Sequence, residues 1–122
     1  MADLILTWHI PGVLSETGVV EGNTLTEYTL DKDYEPERVI LRLKTPGDSS
    51  GTSCTIDIND DGVSLFDINP TIGQGLTSVI RDSFGKTITA LEKDSVITLD
   101  VDSVSPTRSG SDLTIQLDLV EA

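Results

Sequence analysis

Residues Thr52 to Phe66 read TSCTIDINDDGVSLF, and the reading of this stretch decides the fold. Side chains alternate along an extended chain, so Cys54, Ile56 and Ile58 share one face while Thr55, Asp57 and Asn59 share the other. The pattern describes a strand buried on one side only. Asn59-Asp60-Asp61-Gly62 follows, and Asp-Gly between two apolar-alternating runs marks a tight hairpin, because primed turns need positive φ that Gly, Asp and Asn tolerate. Val63 and Leu65 are expected to resume the inward pattern on the return strand.

Outward from the hairpin, the period of two recurs. Leu4, Leu6, Trp8 and Ile10 alternate against Asp3, Thr7 and His9, which predicts a strand over residues 3–10 that Pro11-Gly12 should end. From Val13 to Leu30 the glycines Gly18 and Gly22 argue against a helix and for two short strands, the second near Thr24 to Leu30. Asp31 to Pro36, DKDYEP, reads as a polar connection. Arg38 to Lys44, RVILRLK, turns Val39, Leu41 and Leu43 inward and Arg38, Arg42 and Lys44 outward, with Ile40 as an apolar exception on the outer face. Three of the chain's eight basic residues therefore share one strand face, suited to cross-strand pairing with acids or to contact with another subunit.

Thr45 to Gly51, TPGDSSG, is loop chemistry. Asp67 to Gly75, DINPTIGQG, reads as an irregular crossing between sheets. Leu76 to Phe84 stays open between a helical turn and a strand, since Thr77, Val79 and Ile80 are β-branched. Lys86 to Leu91 alternates as a strand, and the clearest alternation after the hairpin lies in Ser95 to Asp102 (Ile97, Leu99, Val101 inward) and Asp112 to Leu119 (Leu113, Ile115, Leu117, Leu119 inward). The connection Ser103 to Ser111 is polar and too long for a tight turn. About eight short strands and no convincing helix predict an all-β chain, a single domain over 1–122 built as an antiparallel, jelly-roll-like β-sandwich. A small closed barrel is the alternative, and residues 1–12 form a candidate N-terminal arm.

The 122 residues carry 21 Asp and Glu against 8 Lys and Arg, a formal net charge of −13. Nucleic-acid binding rests on Lys and Arg neutralising phosphates, so no direct nucleic-acid partner is expected. No apolar run approaches the roughly 20 residues of a membrane span, so no membrane partner is expected either. MADLILTWHIPG lacks the basic start and long apolar core of a secretory signal, which predicts synthesis in the cytoplasm.

His9 is the single histidine and Cys54 the single cysteine. One imidazole without a nucleophile elbow builds no triad, and one His with one Cys builds no structural zinc site. The expectation is a non-enzyme with no catalytic residue and no cofactor, with Cys54 a buried thiol and His9 a surface strand residue. Calcium is the one weak metal candidate, through Asp57, Asn59, Asp60 and Asp61, although their loop lacks the full EF-hand spacing and its closing Glu. Sugar stacking needs exposed rings, for which Tyr28 and Tyr34 are the glycan candidates. Trp8, His9, Arg38, Arg42 and Lys44 are the candidates for contact with another subunit.

Pro11-Gly12-Val13-Leu14, then Thr45-Pro46-Gly47, then CTIDINDDGVSLFDINPTIGQG, and finally DSVITLDVDSVSPTRSGSDLTIQLDL occur in fixed order. This order resembles a family of small β-sandwich domains of tailed-phage virion proteins. There a "tP-G-x-x-L-x-x-D-I-x-x-N-G-x-S-I-F" hairpin, a "P-x-I-x-x-G" crossing and a terminal "D-x-L-x-V-D-x-D-x-V … G-S-D-L-T-V-x-L" pair recur together. The likeness is clear over residues 39–120 and weaker over the first 38, and Asp61-Gly62 stands where the family has Asn-Gly. It implies a non-enzymatic virion protein of a bacteriophage, a capsid decoration or head-fibre protein displayed in many copies, with a tail or baseplate appendage or a receptor-binding module for host-surface glycan as the alternative. It also implies other virion proteins as partners and a homo-oligomer, often a trimer.

Overall fold

The computed structural model describes residues 2–13, 27–46, 54–73, 76–85, 90–104 and 110–122. Nine strands run in order: β1 (Leu4–Val13), β2 (Tyr28–Thr29), β3 (Tyr34–Thr45), β4 (Cys54–Asp60), β5 (Val63–Ser64), β6 (Thr71–Ile72), β7 (Ser78–Arg81), β8 (Val96–Val104) and β9 (Ser111–Glu121). One sheet has the order β1-β9-β3-β7; the other has β2-β8-β4-β5, with β6 also on β4. Every pairing is antiparallel. The chain is thus an all-β antiparallel sandwich; the described residues form nine strands where about eight were expected, with β6 lying in the stretch read as an irregular crossing and sharing one flank of β4 with β5.

The topology follows from nested pairing. β1 pairs with β9, β2 with β8 and β3 with β7, while β4 pairs with β5 and β6 at the innermost turn. Such nesting is one long hairpin ribbon, and its rolling brings β3 against β9 and β4 against β8 to complete the two sheets. That winding is the jelly roll. The alternation read from the sequence sets which side of each strand faces in: Leu113, Ile115, Leu117, Val39 and Leu41 from one sheet and Ile56, Ile58, Ile97, Leu99 and Val101 from the other are all 0 % exposed. Cys54, the single cysteine, is buried among them.

The hairpin forms as written. Asp61 and Gly62 take φ of 48° and 85°, the two left-handed residues of a type I′ turn, and Asp60 pairs with Val63 across it. Leu65 is buried, but Val63 is 61 % exposed, because β5 is only two residues long and its first sits at the tip, beyond the core.

Other differences lie at strand ends. β1 continues through Pro11-Gly12 to Val13, with a register shift after Ile10; β1 is an edge strand, where a missing N–H is tolerated at a bulge. The candidate N-terminal arm is for most of its length this edge strand. β3 begins at Tyr34 instead of Arg38, with a register shift between Pro36 and Arg38 absorbing the proline. Leu76 to Phe84 resolves to β7, as its β-branched residues favour. The first predicted strand before Thr24, most of the loop after Thr45, residues 86–89 of the strand proposed before Leu91, and residues 105–109 lie outside the described residues.

Candidate functional site

The outer face of the four-stranded sheet gathers most of the residues singled out for contact. On β3, Val39, Leu41 and Leu43 point into the core, so Arg38, Ile40, Arg42 and Lys44 point out. β9 lies beside it and places Thr114 opposite Arg42, Gln116 opposite Ile40 and Asp118 opposite Arg38. Beyond β9, β1 sets His9 opposite Thr114, Thr7 opposite Gln116 and Ile5 opposite Asp118. On the other flank β7 sets Ile80 opposite Ile40 and Ser78 opposite Arg42.

Two kinds of surface result. Arg38 donates to Asp118 at 2.7 Å, and Gln116 donates to the same carboxylate at 2.8 Å. These two side chains cover Asp118, which is 3 % exposed although it belongs to the outward set. Burial pushes the Asp118 carboxyl up, but the hydrogen bonds from Gln116 and Arg38 and the guanidinium charge outweigh it and hold the group below its usual range. Arg42 and Lys44 differ: both are exposed, and no described carboxylate forms an ion pair with either. They line a depression of about 460 Å³ with His9, Leu43, Thr77, Asp112 and Thr114. His9 Nδ1 lies 2.9 Å from Thr114 Oγ1, which fixes the imidazole against β9. Guanidinium and ammonium groups so placed can bind carboxylates or other oxyanions.

Of the predicted contact residues, His9, Arg38, Arg42 and Lys44 share this face. Trp8 does not: it is 2 % exposed and packs edge-on against Tyr28 with ring centroids 5.2 Å apart, because its parity puts it with Leu6 in the core. Ile5, Thr77, Ile80, Asp112 and Thr114 were not singled out from the sequence. Ile80 was hidden by the ambiguity of Leu76 to Phe84, and Ile5 was detectable by its parity with Thr7 and His9.

The glycan candidates are engaged within the fold. Tyr34 is buried at 4 % exposure, and its hydroxyl donates to Asp31 at 2.6 Å. That bond is the main cause holding the Asp31 carboxyl down and the main cause raising the Tyr34 hydroxyl. Tyr28 keeps part of its surface, but its ring meets Trp8 and its hydroxyl donates to the Thr7 carbonyl at 2.6 Å. Neither ring offers an open stacking face.

The weak calcium candidates are dispersed by strand alternation. Asp57 receives the Ser64 hydroxyl, Asn59 donates to Asp100 at 3.0 Å, and Asp61 accepts from the Val96 amide at 2.9 Å. Asp60 leaves one carboxyl oxygen buried without a partner. Among the described residues no three His, Cys, Asp or Glu side chains are grouped to hold a metal ion. Asp57 sits directly opposite Asp100; burial, and next the Asp100 charge, push its carboxyl above the usual range against the Ser64 hydrogen bond. No family model matches the chain, and no curated protein matches it in sequence.

Proposed function

We propose that this chain is a structural protein of a tailed-phage particle, a capsid decoration or head-fibre protein displayed in many copies. The observation that carries the reading is the complete jelly-roll winding with β1 closed onto β9, an architecture that capsid proteins share with lectins and cupins. The argument is one of analogy at the level of fold, joined to the motif order between residues 39 and 120. The mechanism is geometric: each copy makes a modest contact, and repetition supplies avidity. Mass spectrometry and immunogold labelling of purified particles test it. The chain should be present at many copies per particle and decorate one defined part of it; its absence from intact particles overturns the reading.

A receptor-binding module of the tail or baseplate is the second reading, favoured by the depression beside Arg42 and Lys44, whose volume of about 460 Å³ suits a small ligand. Its ligand would be a carboxylated host-surface glycan held by charge, since Tyr28 and Tyr34 offer no stacking face. Saturable binding on an array of acidic glycans, lost in R42A/K44A, supports this reading, and an array without saturable binding removes it.

A further inference from the structure

The depression at one end of the four-stranded sheet draws on all four of its rows. β1 contributes His9, β9 contributes Thr114 and Asp112, β3 contributes Arg42 and Lys44, and Thr77 comes from the residue before β7. The ladder fixes them: Thr114 stands opposite Arg42 on one side and His9 on the other, and the Leu43 amide donates to the Thr77 carbonyl at 2.7 Å. Lys32 and Arg38 each hold a carboxylate, and Arg81 donates to the Ile68 carbonyl. Arg42 and Lys44 form no ion pair among the described residues. Alternate residues of a strand lie about 7 Å apart, close enough for a guanidinium and an ammonium to converge on one carboxylate. The face also carries Asp118, Asp3 and Glu35, which lie level with Asp118, Leu119 and Val120 on β9. Their distance from Thr114 along the strand is about 13 Å or more, beyond the screening length of about 8 Å at physiological salt.

Asp112 is the one carboxylate of the described lining, and its backbone sets it apart. Among the described non-glycine residues, Asp61, Asp94 and Asp112 have positive φ. Asp61 builds the hairpin and Asp94 lies in the turn before β8, whereas Asp112, at φ 55°, sits inside β9 beside the register shift of β1. Strained backbone gathers at ligand sites, where it aims a side chain. A carboxylate offers about four lone-pair sites, so Asp112 can accept from a ligand alongside the interaction it already makes. Two cations, one carboxylate and the hydroxyls of Thr77 and Thr114 therefore surround about 460 Å³, a volume suited to a small ligand. That set matches a molecule with one carboxylate and several hydroxyls. No aromatic ring belongs to the described lining, so recognition is polar throughout.

We propose that this depression binds a sugar acid of the uronate type, with Arg42 and Lys44 on its carboxylate and Asp112, Thr77 and Thr114 on its hydroxyls. The inference deepens the second reading above and rests on its site, adding that charge alone does not define the ligand. A simple carboxylate satisfies the two cations but brings no hydroxyl donor to Asp112, whose charge then opposes it. A neutral sugar supplies the hydroxyls and leaves Arg42 and Lys44 unused. A uronate meets both requirements at once.

Titration of the isotope-labelled full chain with glucuronate, followed by amide chemical shifts at about 150 mM salt, tests this. Shifts should saturate around His9, Lys44, Thr77 and Thr114 with a dissociation constant on the order of 1 mM, as befits a small ligand held by a few polar contacts. Glucose and acetate should each bind about tenfold more weakly or worse, the effect of losing one charged hydrogen bond or its equivalent. R42Q/K44Q, confirmed folded by circular dichroism, should lose glucuronate binding by a similar factor; K44Q alone serves if the double variant does not fold. D112N should lower the preference for glucuronate over acetate about threefold or more, a change of ratio that a merely structural role would not produce. Asn tolerates the left-handed backbone as Asp does, so this variant keeps the local fold. Absence of saturable shifts, shifts that map elsewhere, acetate or phosphate binding as tightly as glucuronate, or binding that R42Q/K44Q leaves intact overturns the proposal. Glucuronate binding by a chain that recognises no glycan on the array retires the receptor reading alone. Saturable array binding to sulfated glycans, with no response to glucuronate, retires this inference alone.

Discussion

Of Gly62, Gly73 and Gly110, Gly110 is the most crowded. A Cβ there would come within 2.8 Å of both Leu43 Cδ1 and the Thr45 carbonyl oxygen, and the carbonyl belongs to backbone that cannot swing aside. Gly110→Ala should cost about 1–3 kcal/mol, the range for forcing atoms into a packed site. Gly62 is constrained differently: its φ of 85° is the difficulty, and open space surrounds it. Gly62→Ala should cost about 1 kcal/mol, from the left-handed backbone alone. Chemical denaturation of the two variants checks both values, and a smaller loss at Gly110 than at Gly62 contradicts the steric argument. Asp118 is the residue whose role parity hides. Asp118→Asn forfeits the charged bond from Arg38 and should lose about 1–2 kcal/mol by the same measurement.

At the scale of strands, inward and outward positions predict opposite responses. Ile115→Ala on β9 or Leu99→Ala on β8 removes a side chain of 0 % exposure and should cost about 2–5 kcal/mol, whereas Ile80→Ala on β7 should shift stability by less than about 0.5 kcal/mol. Thermal unfolding of the three variants separates them, and comparable losses at Ile80 and Ile115 would show that β7 has been assigned the wrong face. Where alternation was strict, as in β4, β8 and β9, the buried apolar set was legible residue by residue, while the buried polar Asn59 and Asp118 were not. The same rule failed where another constraint decided. Trp8 was read as a contact residue although its parity matched Leu6, and Tyr34 was placed in a connection although it starts β3. Pro11 was expected to end its strand and Pro36 to lie in a connection, but both fall beside irregularities of the ladder and within strands. Of the candidate surface, the basic stripe on β3 was visible in the sequence. Its neighbours from β1, β7 and β9 were not, because sheet order depends on pairings between residues as distant as Leu4 and Leu119.

For the molecule as a whole, charge should set the pH of maximum stability. With a net charge of −13 the folded chain repels itself at neutral pH, and protonation on the acid side relieves that. Asp57 adds to the relief: burial and the Asp100 charge raise its folded-state pKa, so its ionised form weakens the fold above that pKa, and stability is gained as pH falls through it. Asp118 acts in the opposite sense. Its folded-state pKa is held below the ordinary aspartate range, so its contribution is fully present above that range and disappears as pH falls through the folded pKa. Stability should therefore rise from pH 7 toward about pH 5 and fall below about pH 4, near the ordinary carboxylate range. Calorimetric melting temperatures across this range check the prediction, at low protein concentration because the isoelectric point of about 4.1 falls in the same window. Asp57→Asn should flatten the rise and Asp118→Asn should flatten the fall, so the two limbs are separable. A wild-type melting temperature that declines steadily from pH 7 downward would mean that the Asp57–Asp100 pair is not held at a cost in the folded chain.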